Sequence, residues 1–110
     1  MKPFESFLSP QLDEFIAYRE NLGYETKRRR AHLLAFDRYL KDKGADWDSF
    51  EPSFFLRMRT ELQKRPSHTN QILMTARVLF RFLIRLGYVE ENPLQDVPLL
   101  KEKPAIPCLF

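Results

Sequence analysis

The chain has 110 residues, of which 44% are hydrophobic and 14% aromatic. This size and composition indicate one folded domain with a modest core and exclude a disordered chain. The net charge of +3 and the pI near 9.2 are compatible with an anionic partner without identifying one. Ten phenylalanines against three glycines, with several periodic leucine-rich stretches, favour an all-helical fold.

Cysteine usage and apolar patterning indicate the expected compartment. The opening MKPFESFLSP has no long apolar run, so we predict no signal peptide. No segment approaches about 18 uncharged apolar residues, so we predict no membrane span. The single cysteine, Cys108, has no internal disulfide partner, which suits a reducing environment. We therefore expect a soluble, cytoplasmic protein.

The first two helices are predicted from their start and stop signals. Ser9 followed by Pro10 matches a cap and a first-position proline, and Gly23 suits the end of that helix. The second helix is predicted over residues 26–43, with Gly44 as its stop. Their expected core residues are Leu12, Phe15, Ile16, Leu22, Leu33, Phe36 and Leu40, with Tyr39 at the margin.

The third helix is predicted to begin near Pro52. It should end by Arg65, because Pro66 disfavours helical geometry in the residue before it. In the connection before this helix, Trp47 and Phe50 are expected to pack as lids on the core. The expected core residues of this helix are Phe54 or Phe55, Met58 and Leu62.

The fourth helix is predicted from Ser67, as its N-cap, to the residue before Gly87, with Pro93 preventing resumption. Its apolar stripe is Ile72, Ala76, Leu79, Phe80, Leu83 and Leu86. At about 100° per residue, the opposite face carries Asn70, Met74, Arg77, Arg81 and Arg85. This arginine stripe is interpreted either as a surface for an anionic partner or as a solvated face.

A second run of cations opens the second helix: Lys27, Arg28, Arg29 and Arg30. Cations at the positive end of a helix dipole are unfavourable, whereas a phosphate bound there is favourable. Arg29 falls near the apolar stripe and is expected to pair with an acid inside the domain. Lys27, Arg30 and Arg38 are expected on the outer face. An inert charged surface is the alternative.

The start of the fourth helix supplies further candidates. His68, Thr69 and Asn70 are expected either to reach base edges or phosphates or to act as ordinary capping residues. Catalytic patterns are missing: His32 and His68 are isolated, Cys108 has no metal-ligand partner, and no glycine-rich phosphate loop occurs. We therefore predict no enzyme activity for this chain alone, no metal and no cofactor.

The order of these features resembles the N-terminal, core-binding domain of tyrosine recombinases, the phage integrase family with a SAM-like helical domain. The matching pieces are FIAYRENLGYETKRRRAHLLAFDRYLKDKG, then HTNQILMTARVLFRFLIRLGYVEENPL, then a proline-rich exit ending in AIPCLF. The most specific part runs from Asn70 through Arg77 to residues 80–83, followed by Gly87 and Asn92–Pro93. The resemblance implies a four- or five-helix bundle whose second and fourth helices face DNA, with catalysis in a separate C-terminal domain.

From these observations we predict an all-α, compact bundle of four to five helices. Residues 1–94 would form the DNA-binding domain, and residues 95–110 a proline-rich linker toward an absent catalytic domain. The predicted partner is double-stranded DNA, with self-association of the full-length recombinase on it. The predicted DNA-binding residues are Lys27, Arg28, Arg30, His68, Thr69, Asn70, Arg77 and Arg81. The alternative is a helical protein-interaction domain that uses exposed Leu34, Leu56 and Met74.

Overall fold

The computed structural model describes residues 3–100, and within this range it contains four α-helices and no strand. The helices are α1 (Ser9–Asn21), α2 (Lys27–Lys43), α3 (Pro52–Glu61) and α4 (Pro66–Arg85), with one 3₁₀ turn at Trp47–Ser49. The predicted all-α bundle is thus confirmed. None of the helices within residues 3–100 is both long and apolar enough to cross a bilayer.

The helix ends agree with the sequence prediction better than the helix starts. Gly44 lies directly after α2 at φ 61°, a left-handed conformation that a residue without Cβ adopts at little cost. Ser9 and Ser67, by contrast, are not N-caps. Each lies inside the first turn of its helix, and the cap positions are held by Leu8 and Arg65. These helices start without a side-chain cap, helped by a proline whose φ is already helical.

The core is centred on the packing of α4 against α2, and α1 packs against both helices. Four phenylalanines from the four helices are almost fully buried: Phe15, Phe36, Phe55 and Phe80. Two leucines predicted in the core are exposed instead, Leu22 at 57% and Leu86 at 44%. Both are C-cap residues, where the chain turns away from the helix axis and carries the side chain off the buried stripe.

The connection between α2 and α3 covers one end of the core with aromatic rings. Phe50 is half-buried and packs edge-on against Phe80, with ring centroids 4.8 Å apart. Trp47 is 37% exposed, stacks on Tyr88 at 5.6 Å and contacts Phe7 edge-on at 5.5 Å. Phe50 packs on the core as predicted, whereas Trp47 is exposed and packs on the rings of Phe7, Phe50 and Tyr88 instead.

Residues 92–100, named here the strap, run back along α4 after that helix ends. Pro93 to Asp96 form turns, and Leu94 and Val97 are buried. The backbone of Leu100 is paired with the Asn70 side chain, which donates to its carbonyl at 2.9 Å and accepts from its N–H at 2.8 Å. Residues 95–100, predicted as linker, therefore pack on the domain. Residues 101–110, with Cys108, lie outside the described range.

The segment before α1 is fixed to α2 through a buried carboxylate. Asp37 is only 4% exposed, and its two oxygens accept the backbone N–H groups of Glu5 and Ser6, each at 2.9 Å. These bonds hold Phe4 and Leu8 in the core, where they are 5% and 0% exposed. A buried charge is tolerated here because it accepts two hydrogen bonds.

Replacing Asp37 by alanine should lower the free energy of unfolding by about 3 kcal/mol, because two charge-assisted hydrogen bonds are lost and two buried N–H groups lose their acceptor. Urea denaturation followed by circular dichroism measures this change. Asp42→Ala, an exposed aspartate on the same helix, is the matched control and should change stability by less than about 0.5 kcal/mol. Equal effects of the two substitutions would contradict the anchoring role of Asp37.

Candidate nucleic-acid interface

The N-terminal half of α2 and the middle of α4 enclose a basic groove of about 310 Å³. We name it the basic groove; its lining residues are Glu25, Arg28, Arg29, His32, Gln71, Met74 and Thr75. Arg28, Gln71 and Met74 are exposed, whereas Arg29 and His32 are half-buried. The groove contains one carboxylate, Glu25, which accepts the backbone N–H of Lys27 at the start of α2. Two arginines and a histidine therefore share the groove with a single acid.

The basic surface continues along α4 toward its C-terminal end. Val78, Arg81 and Arg85 of α4 lie against Tyr18 and Arg19 of α1, around a shallow depression of about 190 Å³. Because Met74 and Val78 occupy successive turns of α4, this depression adjoins the basic groove. We name the combined surface the basic face; its cations are Arg19, Arg28, Arg29, Arg81 and Arg85.

Arg29 is a half-buried charge on this face and lies beside a second half-buried cation, Arg19. Within residues 3–100 no ion pair involves Arg29, so the predicted pairing with an internal acid is wrong. Burial, and secondarily the positive charge of Arg19, lower the pKa of the Arg29 guanidinium. A guanidinium nevertheless stays protonated in proteins. A half-buried positive charge beside another one is a local excess that an incoming anion would relieve.

Arg30 is oriented differently from what the helical wheel predicted. Its side chain is only 15% exposed, lies over the Phe4 ring at 4.5 Å and approaches Asp13 at 3.9 Å. Arg30 thus links α2 to α1 and to the N-terminal segment, and its predicted outer-face position is wrong. The wheel placed Arg29 inside and Arg30 outside, whereas both are half-buried in the fold, because residues 3–8 and α1 cover the side of α2 that carries Arg30.

Two of the three candidates at the start of α4 are buried. Thr69 and Asn70 are 1% and 2% exposed. The Thr69 hydroxyl donates to the carbonyl of Leu62 just after α3, and Asn70 holds the strap at Leu100. Their side chains therefore connect parts of the domain. His68 is exposed, and its ring lies 5.8 Å from that of His32, next to the basic groove.

The arginine stripe of α4 divides into an inner and an outer part. Arg77 is half-buried, and its guanidinium donates to the carbonyl of Val97 in the strap at 2.9 Å. The carbonyl of Arg77 also accepts from the Asn92 side chain at 3.1 Å. Arg81 and Arg85 are exposed, with Arg85 donating to the hydroxyl of Tyr18. Arg77 is thus a contact to the strap, and the predicted uninterrupted solvent stripe starts only at Arg81.

The eight predicted DNA-binding residues are therefore not brought together on one surface. Arg28, His68 and Arg81 lie on or beside the basic face; Lys27 is exposed but about 100° around α2 from Arg28. The other four, Arg30, Thr69, Asn70 and Arg77, make contacts within the domain. DNA contact by any of the eight stays a prediction.

Sequence reasoning missed four residues of this surface, Arg19, Arg29, His32 and Gln71. Arg19 occupies the last turn of α1, where a cation suits the helix dipole, so local reasoning gave no sign of a second role. Gln71 and His32 have the spacing of ordinary helix-surface residues. Only the approach of α2 to α4 brings them together.

His32 adds a pH-dependent charge to the basic groove. Burial is the main cause that lowers the pKa of the imidazole, and the neighbouring His68, Arg29 and Arg28 lower it further. At neutral pH the ring is therefore uncharged. Within residues 3–100, no group of three or more His, Cys, Asp or Glu residues is arranged to hold a metal ion.

The chain matches no profile of a known protein family, no curated protein and no solved structure.

Arg77 and Arg81 provide a matched pair of substitutions on one helix. Arg77→Ala should lower the free energy of unfolding by about 2 kcal/mol, because a charged donor to the Val97 carbonyl is lost and the strap is loosened. Arg81→Ala removes the same charge from an exposed position and should change it by less than about 0.5 kcal/mol. Thermal and urea unfolding measure both; a more destabilising Arg81 variant would contradict the assignment.

Stability should fall on acidification partly through His32. Its pKa is lowered in the folded chain, so below the ordinary imidazole value of 6.5 the unfolded chain binds more protons than the folded one. The free energy of unfolding should therefore decrease from about pH 7.5 to about pH 5.5 around that value. His32→Gln should show a smaller decrease over the same window in urea titrations. Identical pH profiles of the two proteins would contradict it.

Proposed function

We propose that this domain binds double-stranded DNA through the basic face, as the core-binding module of a tyrosine recombinase whose strand cleavage resides in a separate domain. The observation that carries the proposal is the row of arginines from α1, α2 and α4 on one side of α4, with Arg29 half-buried and without an ion pair in residues 3–100. The family part of the proposal rests on the order of sequence motifs described above.

The dimensions of the basic face suit a DNA backbone. From Gln71 to Arg81 the surface extends along α4 for roughly 15 Å, which corresponds to the axial rise of about four phosphates of one strand when α4 lies along the DNA axis. The exposed Arg28 and Arg81 then contact phosphates near its two ends. Phosphate contacts position a protein without reading sequence. Gln71 and His68, the polar residues beside Arg28, are the candidates for contact with base edges.

Charge compensation is the driving force in this proposal. A phosphate in the basic groove approaches Arg28 and Arg29 together and compensates the positive charge of both side chains. Since the domain offers only a few such contacts, binding by this chain alone should be weak, with dissociation constants of about 10⁻⁴ to 10⁻⁶ M at physiological salt. Higher affinity and self-association on DNA belong, in this proposal, to the full-length recombinase.

The competing proposal is a protein-interaction domain built on Leu34, Leu56 and Met74. Their positions do not favour one common groove: Met74 lines the basic groove, Leu34 lines a different groove between α2 and α4, and Leu56 is exposed on α3. Competition separates the two functions. Heparin or DNA should displace a ligand of the basic face, whereas a protein partner bound through leucines should remain bound.

Binding should weaken steeply as salt concentration rises, and Arg28→Ala with Arg81→Ala should flatten that dependence. Each lost phosphate contact reduces the slope of log affinity against log salt by about one, so the double variant should lose about one to two units. Fluorescence anisotropy with a labelled duplex, titrated at several salt concentrations, measures the slope.

The matched control removes two exposed arginines elsewhere, Arg38 on α2 and Arg57 on α3. Arg38→Ala with Arg57→Ala gives the same change in net charge and should leave most of the slope intact. A slope that falls equally in both double variants would mean that only net charge matters. No salt dependence in the unaltered protein would refute the proposed function.

A further inference from the structure

A second groove, about twice the volume of the basic groove, lies between α2 and α4 and is closed at one end by the α3–α4 connection. Its volume is about 650 Å³. Apolar side chains form much of its lining: Leu34 and Ala35 from α2, Leu62 after α3, and Ile72 from α4. We name it the apolar groove. An apolar concavity of this size on a small domain is typical of a binding site.

Charged side chains surround the apolar lining. Arg38 and Asp42 stand on the α2 side, and Lys64 and Arg65 on the side of the α3–α4 connection. Glu61, also at the groove, is already bound by the Tyr39 hydroxyl at 2.8 Å and by Lys43 at 2.9 Å. Burial, and secondly the hydrogen bond to Glu61, raises the pKa of the Tyr39 phenol. The Tyr39 hydroxyl therefore stays protonated and donates to Glu61. An apolar floor with a charged rim favours a peptide segment in which charged residues are followed by apolar ones.

The chain itself supplies such a segment next to the groove. The strap ends at Leu100, which is held by Asn70, and the residues immediately before Asn70, His68 and Thr69, line the apolar groove. After Leu100 the sequence continues KEKPAIPCLF: three charged residues, then apolar residues on both sides of Pro107. In the sequence, the apolar residues therefore begin five positions after the end of the strap.

The distances permit this segment to reach the groove. To pass from the strap side of α4 to the groove side, the chain has to go around a helix of about 10 Å diameter. Five extended residues, 101–105, span up to about 17 Å. Proline has a fixed φ, so the presence of Pro104 and Pro107 in the sequence reduces the entropy lost when the segment binds. Tethering at Leu100 raises its local concentration at the groove to about the millimolar range.

We propose that residues 105–110 of the same chain bind in the apolar groove, with Ile106 and Leu109 against Leu34, Ala35, Leu62 and Ile72. The segment then lies beside the basic groove and leaves it open, because the two grooves share no lining residue. It also fixes the direction in which any following part of the chain leaves the domain. This proposal is independent of DNA binding, and its test contains no nucleic acid.

The single cysteine allows a direct test with the intact chain. A nitroxide attached to Cys108 should broaden the NMR signals of the groove residues, so that these signals lose most of their intensity. Ala31, Leu34, Ala35 and His68 are among these residues. Signals of Arg57 and Ser53 on α3 should keep theirs. Ile106→Asp with Leu109→Asp in the labelled chain should restore the groove signals. Leu99→Asp, an exposed leucine of the strap, is the matched control and should not restore them.

A second experiment places the nitroxide in the groove instead of in the segment, and so controls for a perturbation of the segment by its own label. In a Cys108→Ser chain, a nitroxide at Ala31→Cys should broaden residues 105–110. Absence of broadening with both labels, or broadening of a different surface, would overturn the proposal. Mixing nitroxide-labelled chains with isotope-labelled chains tests for binding to a second copy. If the nitroxide of one chain broadens the groove signals of another chain in the mixed sample, and this broadening disappears on dilution, the proposal would also be overturned.

Discussion

The packing of α4 against α2 is the interaction on which the other parts of the structure depend. Ten of the twenty residues of α4 are buried, because α1, α2 and the strap cover three sides of it. Most of the stability of a helix in a protein comes from tertiary packing of its apolar face, so the order of α4 depends on this coverage. The same packing forms both grooves, since each lies where α2 and α4 separate slightly at their surfaces.

The coverage of α4 also decides which of its polar residues face solvent. Thr69 holds the end of α3, and Asn70 and Arg77 hold the strap. Arg81 remains exposed, although Asn92 and Gln95 of the strap lie beside it around an open depression. Some polar residues of α4 thus connect parts of the domain, whereas others present their charge to solvent. The two kinds of residue differ only in which neighbour the chain brings to them.

Local signals were enough to predict the class of fold and most helix ends. The stops at Gly23, Gly44 and Gly87 were predictable because a left-handed residue after a helix strongly favours glycine. The buried stripe of α4 was predictable because its apolar period is regular. The start of a helix was less predictable: Ser67 has the chemistry of a cap, but Pro66 extends the helix past it. Such competition between neighbouring signals is decided by small energies.

The candidate site was predictable only in part, because its composition depends on contacts between distant residues. Arg29 and Arg30 differ by one position on the α2 wheel, and nothing local indicates that the segment around Phe4 covers Arg30. Likewise the proline-rich composition after Asn92 predicted a linker, while the pairing of Leu100 with Asn70 involves residues thirty positions apart. A helical wheel gives the angles of side chains around one helix axis and contains no information about which other segments pack against that helix.

The aromatic end of the core has a practical consequence for spectroscopy. Trp47 is the only tryptophan of the chain, and its ring touches Phe7 before α1, Phe50 before α3 and Tyr88 after α4. Three chain segments that are far apart in sequence therefore determine the surroundings of one indole. Its emission is a built-in optical reporter of whether this end of the bundle is closed, readable without any added dye.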